Sequence, residues 1–340
     1  MLSMFNFEEP RFLRIQAGAM ALAADIDRII GELLAAGADH VIFLGTGGAG
    51  ILMQPAQQLL ASRSRFPSLL RLPAELVLSG EPLLGPKSIV LMPSLSGTTQ
   101  ESVTALDYCR RRGARVVALV GHADTPLARG ADHVLVNFAE DDTSSESFYL
   151  QSLLLALSIL RHRGEFDSYA MVLAELQRLP ALLLEVKRRF ESQAERFAER
   201  IRDVPYHIMT GAGSTWPEAL YYGMCILEEM QWIRTRPVHA ADFFHGTLEL
   251  LEKDVSIVLL KGEDALRPLV DRVEAFARKI SDQVHVLDCA QFDLPGISAG
   301  TRALISPILL ATVLERVSAY LEHKRQHPLT TRRYYKRIPY

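Results

Sequence analysis

The sequence predicts a doubly wound α/β fold, built as two tandem domains whose parallel sheets are flanked by helices. Three observations predict it. Short apolar runs alternate with helical stretches. Those runs lack the apolar–polar alternation of a sheet with one wet face, so both faces are expected to be buried. The pattern then recurs in the second half of the chain.

The elements follow in order. Residues from about 10 to 36 read as helix. His40-Val41-Ile42-Phe43-Leu44 reads as the first strand and Glu75-Leu76-Val77-Leu78 as the second. Ser88-Ile89-Val90-Leu91-Met92, Arg115–Val120 and His133–Asn137 read as the third to fifth. A helical stretch spans about 147–203, with breaks expected near Gly164 and Pro180. Its charged part, 186–203, is expected to face solvent or a partner subunit. Then Tyr206–Gly213 echoes the first strand and its glycines. Gly211 lies 166 residues after Gly45, Ser256 lies 168 after Ser88, and Val284 lies 168 after Val116. A near-constant offset over three strands points to duplication. The expected domains are 1–160, a helical connection at 161–200, and 201–340.

Composition narrows the function classes. The chain has 340 residues, 49% apolar and 23% charged, with net charge −3. That balance suits a globular protein and gives no electrostatic case for nucleic acid or a membrane surface. The basic tail at 332–337 is too short to change this. Three cysteines, Cys109, Cys225 and Cys289, form no disulfide framework and are expected to be buried. The first eight residues lack a basic region followed by an apolar core, and no uninterrupted apolar run approaches ~20 residues. A cytoplasmic protein that spans no membrane is expected.

The third strand runs into Ser94-Leu95-Ser96-Gly97-Thr98-Thr99 and then a helix. Ligands of open α/β sheets bind beyond the carboxyl ends of the strands. Hydroxyls beside a helix N-terminus suit a phosphate dianion. Simple helix capping would need only one hydroxyl. The loop has no lysine and no nucleotide P-loop pattern. Gly45-Thr46-Gly47-Gly48-Ala49-Gly50 matches G-x-G-x-x-G, but the second strand has no acid at its end for a ribose, so Gly45, Thr46 and Gly47 read as a wall of the sugar site. In the second half, a helix over Glu218–Met230 ends in Glu228 and Glu229, where the dipole disfavours carboxylates. The loop Pro237–Gly246 adds His239, Asp242 and His245 among aromatics. Histidine exchanges protons near neutral pH. The spacing matches no zinc pattern, so no metal is expected.

These residues resemble the tandem sugar isomerase (SIS) family, which includes the isomerase half of glucosamine-6-phosphate synthase. The Ser94, Ser96 and Thr99 loop matches the family's phosphate site. Glu229 lies sixteen residues before His245, as in the family's Glu and His-Gly pair, whereas Glu228 would need a shift. The counterpart loop, Leu259-Leu260-Lys261-Gly262-Glu263, has lost its hydroxyls, which implies one phosphate site per chain. Glu229-Met230-Gln231-Trp232, Asp242–Gly246, Asp142–Phe148 and the tail His327–Tyr335 are similar to fructoselysine 6-phosphate and related fructosamine 6-phosphate deglycases.

The resemblance implies two SIS domains, a sugar-phosphate substrate, no cofactor, and a homodimer or higher homo-oligomer with shared sites. It implies phosphate and sugar contacts from Gly45, Thr46, Gly47, Ser94, Ser96, Gly97, Thr98, Thr99 and Ser144. It implies Glu229 as base and His245 as acid; burial beside Trp232 and Phe243 is expected to raise the pKa of Glu229 for that task. Lys336 aligns with a tail lysine of the synthase at a different spacing. An aldose–ketose isomerase, an amino-sugar-phosphate deaminase and a non-catalytic sugar-phosphate sensor are the alternatives.

Overall fold

The computed structural model describes residues 4–139, 145–335, 337 and 338. The chain divides into two compact units. One is Pro10–Pro180; the other is Ala181–Tyr340 together with Met1–Glu9.

In the first unit, β1 (His40–Leu44), β2 (Ser68–Arg71), β3 (Ser88–Ser94), β4 (Arg115–Val120) and β5 (His133–Val136) form one parallel sheet in the order β2-β1-β3-β4-β5. In the second, β6 (Tyr206–Gly211), β7 (Arg234–His239), β8 (Ser256–Lys261) and β9 (Val284–Asp288) run β7-β6-β8-β9, again all parallel. The two sheets share one topology: second, first, third, fourth. The central strands β1, β3 and β8 are buried along their whole length, as their unbroken apolar runs predict. The edge strands are only partly covered, and β7 carries Pro237, which an edge tolerates.

The duplication extends to a polar detail. His40 opposes Ser88 across β1 and β3, with Nε2 2.7 Å from the serine Oγ. His207 opposes Ser256 across β6 and β8, with Nδ1 2.7 Å from that Oγ.

One expected strand is a helix. Residues 75–78 lie within the helix Pro73–Ser79, and the second strand is the four-residue Ser68–Arg71. Pro73 opens that helix and Gly80, at φ +77°, ends it, which is the usual placement of these residues. Leu76 points into the core while Leu78 is 89% exposed, so the apolar run marks one helical face rather than a strand.

The helical region is three helices: Ser145–His162, Tyr169–Leu176 and Leu179–Ile201. The first is buried from Ser145 to Leu160. The charged helix Leu179–Ile201 is not simply a solvated face. Its Lys187 is fully buried and donates to Thr312 O at 3.0 Å and to Glu315 at 2.7 Å. Its Glu191 receives the buried Arg316 at 2.9 and 3.0 Å, the Phe5 N–H at 2.8 Å and the Tyr320 hydroxyl at 2.8 Å. Arg316 also donates to Phe5 O, and the Phe7 ring lies 4.8 Å beneath its guanidinium. Breaking a buried pair of this kind typically costs about 3–5 kcal/mol. Arg316 belongs to the helix Ala299–Arg325, which is long and apolar enough to cross a membrane. Charges interrupt it, so the sequence shows no unbroken apolar run there. Of its most apolar window, 83% is buried inside the protein, so it is a core helix. All three cysteines are free and buried, as expected.

Burial holds His207 and His285 neutral, each lowered to about 4. The unfolded chain takes up these protons near pH 6.5 and the folded chain only near 4. Their contribution is therefore complete above pH 6.5 and is lost as pH falls toward 4, at about 1.4 kcal/mol per pH unit for each histidine. Urea denaturation from pH 7 to 4.5 should show this loss, and His285→Leu should make the slope shallower.

Candidate functional site

The order of the first sheet reverses between β1 and β3, because β2 lies outside β1 while β4 and β5 lie outside β3. Such a switch point opens a crevice at the carboxyl ends of the strands. The β1–β3 register, Phe43 opposite Leu91, sets Gly45-Thr46-Gly47 beside Pro93-Ser94 at that crevice. Gly45, Thr46, Gly47, Ser94, Ser96, Gly97, Thr98 and Thr99 are thus brought to one place. Ser144 and Lys336 lie outside the described residues.

The loop is held from within. Ser94 Oγ accepts the Gly97 N–H at 3.1 Å and lies 3.5 Å from Thr99 Oγ1. Ser96 Oγ accepts from the Thr98 N–H at 3.3 Å and the Thr98 hydroxyl at 3.1 Å, so its own proton is left to donate. Thr99 sits at the N-cap of the helix Gln100–Arg111, but its side chain makes no capping bond. The helix therefore begins without side-chain satisfaction and with the positive end of its dipole at the loop, the arrangement that binds anions.

Gly97 has φ +62°, and a Cβ there would lie 2.2 Å from Thr125 Oγ1. Thr125 caps the next short helix, and Leu127 N–H donates to Gly97 O at 3.1 Å, so the loops after β3 and β4 lock together. The G-x-G-x-x-G pattern has a packing role. A Cβ on Gly45 would fall 2.6 Å from Gly50 Cα, and one on Gly50 would fall 2.5 Å from Gly45 O. The first and last glycines let the strand end and the next helix touch backbone to backbone.

At the corresponding switch point of the second sheet, Asp264 lies 168 residues after Ser96. Its carboxylate accepts the Ser214 N–H at 3.1 Å and the Ser214 hydroxyl at 2.7 Å. Lys261 is drawn away to Asp271 and Glu274, at 2.6 and 2.7 Å. Sequence reasoning noted the lost hydroxyls but not this internal anion; the repeat offset carried to Asp264 points to it.

Glu229 follows a helix that is not uniform. Trp216–Tyr221 is α-helical, and Tyr222–Glu228 is a π-helix, a widening common at functional sites. The turn after it ends in Trp232 at φ +56°, a left-handed backbone that is costly for so large a residue. Glu228 is spent on the start of β7, accepting the Thr235 N–H at 3.1 Å and its hydroxyl at 2.6 Å. Glu229 is half-buried, and its Oε1 accepts Arg332 Nε–H at 2.9 Å. The expected aromatic shield is divided. Trp232 packs on His327 and Arg333, while Phe243 is buried with Phe244 and Phe276.

His245 is exposed in the turn after β7, and no side-chain partner is found for it among the described residues. His239 has its ring 5.6 Å from Trp216, and burial lowers its pKa. Glu229 precedes β7 and His245 follows it. Six residues of strand separate these edges by about 20 Å. Within one chain the two residues stand at opposite ends of the sheet. Among the described residues, no three His, Cys, Asp or Glu converge as a metal site.

The architecture and the hydroxyl loop define a class: tandem parallel α/β proteins with a hydroxyl-rich loop at the first switch point. Residues 35–161 match the SIS domain family. Fructosamine deglycase FrlB of Bacillus subtilis (strain 168) is 30% identical over 311 residues, spanning 89% of this chain and 93% of that one. The fructoselysine 6-phosphate deglycase of Escherichia coli (strain K12) is 27% identical, over 70% of this chain and 68% of that one. A crystal structure of a candidate phosphosugar isomerase from Bacillus subtilis superposes with a TM-score of 0.85 at 27% identity, covering 98% of this chain and all of the other. The chain belongs to the SIS family.

Gly97→Ala should destabilise the protein by about 1–3 kcal/mol, combining a left-handed alanine with a displaced Thr125. Denaturant midpoints of the two proteins check this.

Proposed function

We propose that this chain is a sugar-phosphate deglycase that cleaves a fructosamine 6-phosphate to glucose 6-phosphate and a free amine. The observation that carries the reading is the uncapped hydroxyl loop at the first switch point, in a chain similar over most of its length to a fructosamine deglycase. Thr46, Ser94, Ser96 and Thr99 hold the phosphate, with backbone N–H groups from Gly97 to the helix start. Glu229 removes a proton from C1 of the ketone form, giving an enaminol. Reprotonation at C2 gives a C1 imine, and one water hydrolyses it to the aldehyde and the amine. His245 serves as acid at the ring or carbonyl oxygen. Holding the phosphate makes these transfers effectively intramolecular. Free buried cysteines suit a reducing, cytoplasmic setting.

The separation of Glu229 from His245 supports a site shared between two copies, with His245 supplied by the neighbour. The alternatives differ in product. Interconversion of an aldose and a ketose phosphate without amine release would mark an isomerase.

The direct test is incubation with several fructosamine 6-phosphates, reading glucose 6-phosphate through a coupled dehydrogenase. Ser96→Ala should raise KM, since a hydrogen bond to a charged group contributes about 1.5–3 kcal/mol. Glu229→Gln should instead lower kcat by about 10²–10⁴-fold and stop wash-out of a C1 deuterium label. Wild-type label exchange in Glu229→Gln would remove it as the base. For the shared site, mixing inactive Glu229→Gln with inactive His245→Ala should restore activity through hybrid oligomers. No recovery after proven subunit exchange would place both residues in one chain.

A further inference from the structure

The C-terminal tail is fastened to the turn that carries Glu229. Gln231, fully buried, donates from Nε2 to His327 O at 2.7 Å. Arg325, at the end of the last helix, donates to Gln231 O at 3.2 Å. The His327 ring meets Trp232 edge-on at 4.4 Å, and the Arg333 guanidinium lies 3.9 Å from the centre of the same indole. The left-handed Trp232 is thus held from several sides. Arg332 completes the clasp. Its Nη1 donates to Leu329 O at 2.6 Å and to Thr331 O at 3.0 Å, and its Nε–H reaches Glu229 at 2.9 Å. Arg332 is 13% exposed and Glu229 33%.

The two carbonyls fix the guanidinium plane, so the charge presented to Glu229 is preorganised rather than recruited from a floppy surface side chain. We infer that Arg332 is a positioning residue: it orients the Glu229 carboxylate and keeps it ionised for proton abstraction. This rests on the reading of Glu229 as the base. A base must be ionised to act, and an opposite charge at this distance favours the ionised form. Around the turn and tail, among the described residues, stand Glu322, which accepts the Leu329 N–H at 3.0 Å, Arg325, His327 and Arg333 from the last helix and the tail, and Glu228 from the turn itself. Glu228 is engaged by Thr235.

The experiment is the pH profile of kcat/KM for the full-length protein acting on a fructosamine 6-phosphate, with wild type, Arg332→Met, Arg332→Gln, Arg332→Lys and Glu229→Gln side by side. The acidic limb reports the base in the free enzyme. In Arg332→Met it should move up by about one pH unit, and the lost orientation of the carboxylate should lower the kcat/KM plateau by about tenfold. Arg332→Gln should show the same shift and carries the test if the methionine variant folds poorly. Arg332→Lys, which keeps the charge, should return the limb toward its wild-type position. A role in packing alone would lower the rate without moving the limb. An unmoved limb in the neutral variants, with Glu229→Gln inactive, overturns this inference and leaves the base assignment standing. Wild-type activity in Glu229→Gln overturns both.

Discussion

Parallel hydrogen bonding between β1 and β3 is the constraint on which the candidate phosphate site depends. The register fixes which residue ends each strand and so brings a glycine loop and a hydroxyl loop to the same edge. A slip of one residue would turn every side chain to the other face and carry Ser94 away from the crevice. The register is protected because both faces of both strands are buried. The loop adds its own hydrogen bonds, but those only shape a position that the sheet has already chosen.

The second sheet shows the same architecture with a carboxylate of its own at the switch point. Its switch point, its His–Ser pair and its glycine-bearing loop persist. The serine of the first half is replaced by Asp264, and the donors that would meet an anion meet this carboxylate. Duplication has left one half with a hydroxyl loop at its switch point and the other with the chain's own carboxylate there. The second unit carries the proposed base and acid, Glu229 and His245, elsewhere: after the π-helical turn and in the loop after β7.

Much of this was legible in the sequence, for physical reasons that also explain the misses. The central strands announce themselves because burial on both faces demands unbroken apolar runs. Residues 75–78 look the same to that test, yet Pro73 and Gly80 frame a helix, and terminal signals outweigh four apolar residues. The hydroxyl loop was visible because four hydroxyls around one glycine exceed what a helix cap needs. The contact of Arg332 with Glu229 was not, since it depends on a chain reversal that brings the tail back to a residue 103 positions earlier. The glycines at 45 and 50 looked like a nucleotide signature because close backbone approach to a phosphate and close approach to another backbone ask for the same residue.

The segment ending at Glu9 belongs with residues from Ala181 onward, and Phe5 is bonded to Arg316, 311 positions away. Residues 10–180 form one continuous unit, and domains generally fold as units in the order of their synthesis. Phe5 and Phe7 emerge before them, but the charged seat they occupy is completed only when the helix carrying Arg316 has been translated. The order of synthesis and the order of assembly therefore run in opposite directions for this segment. Docking of these two aromatic side chains requires that the helix carrying Arg316 has already been made and placed.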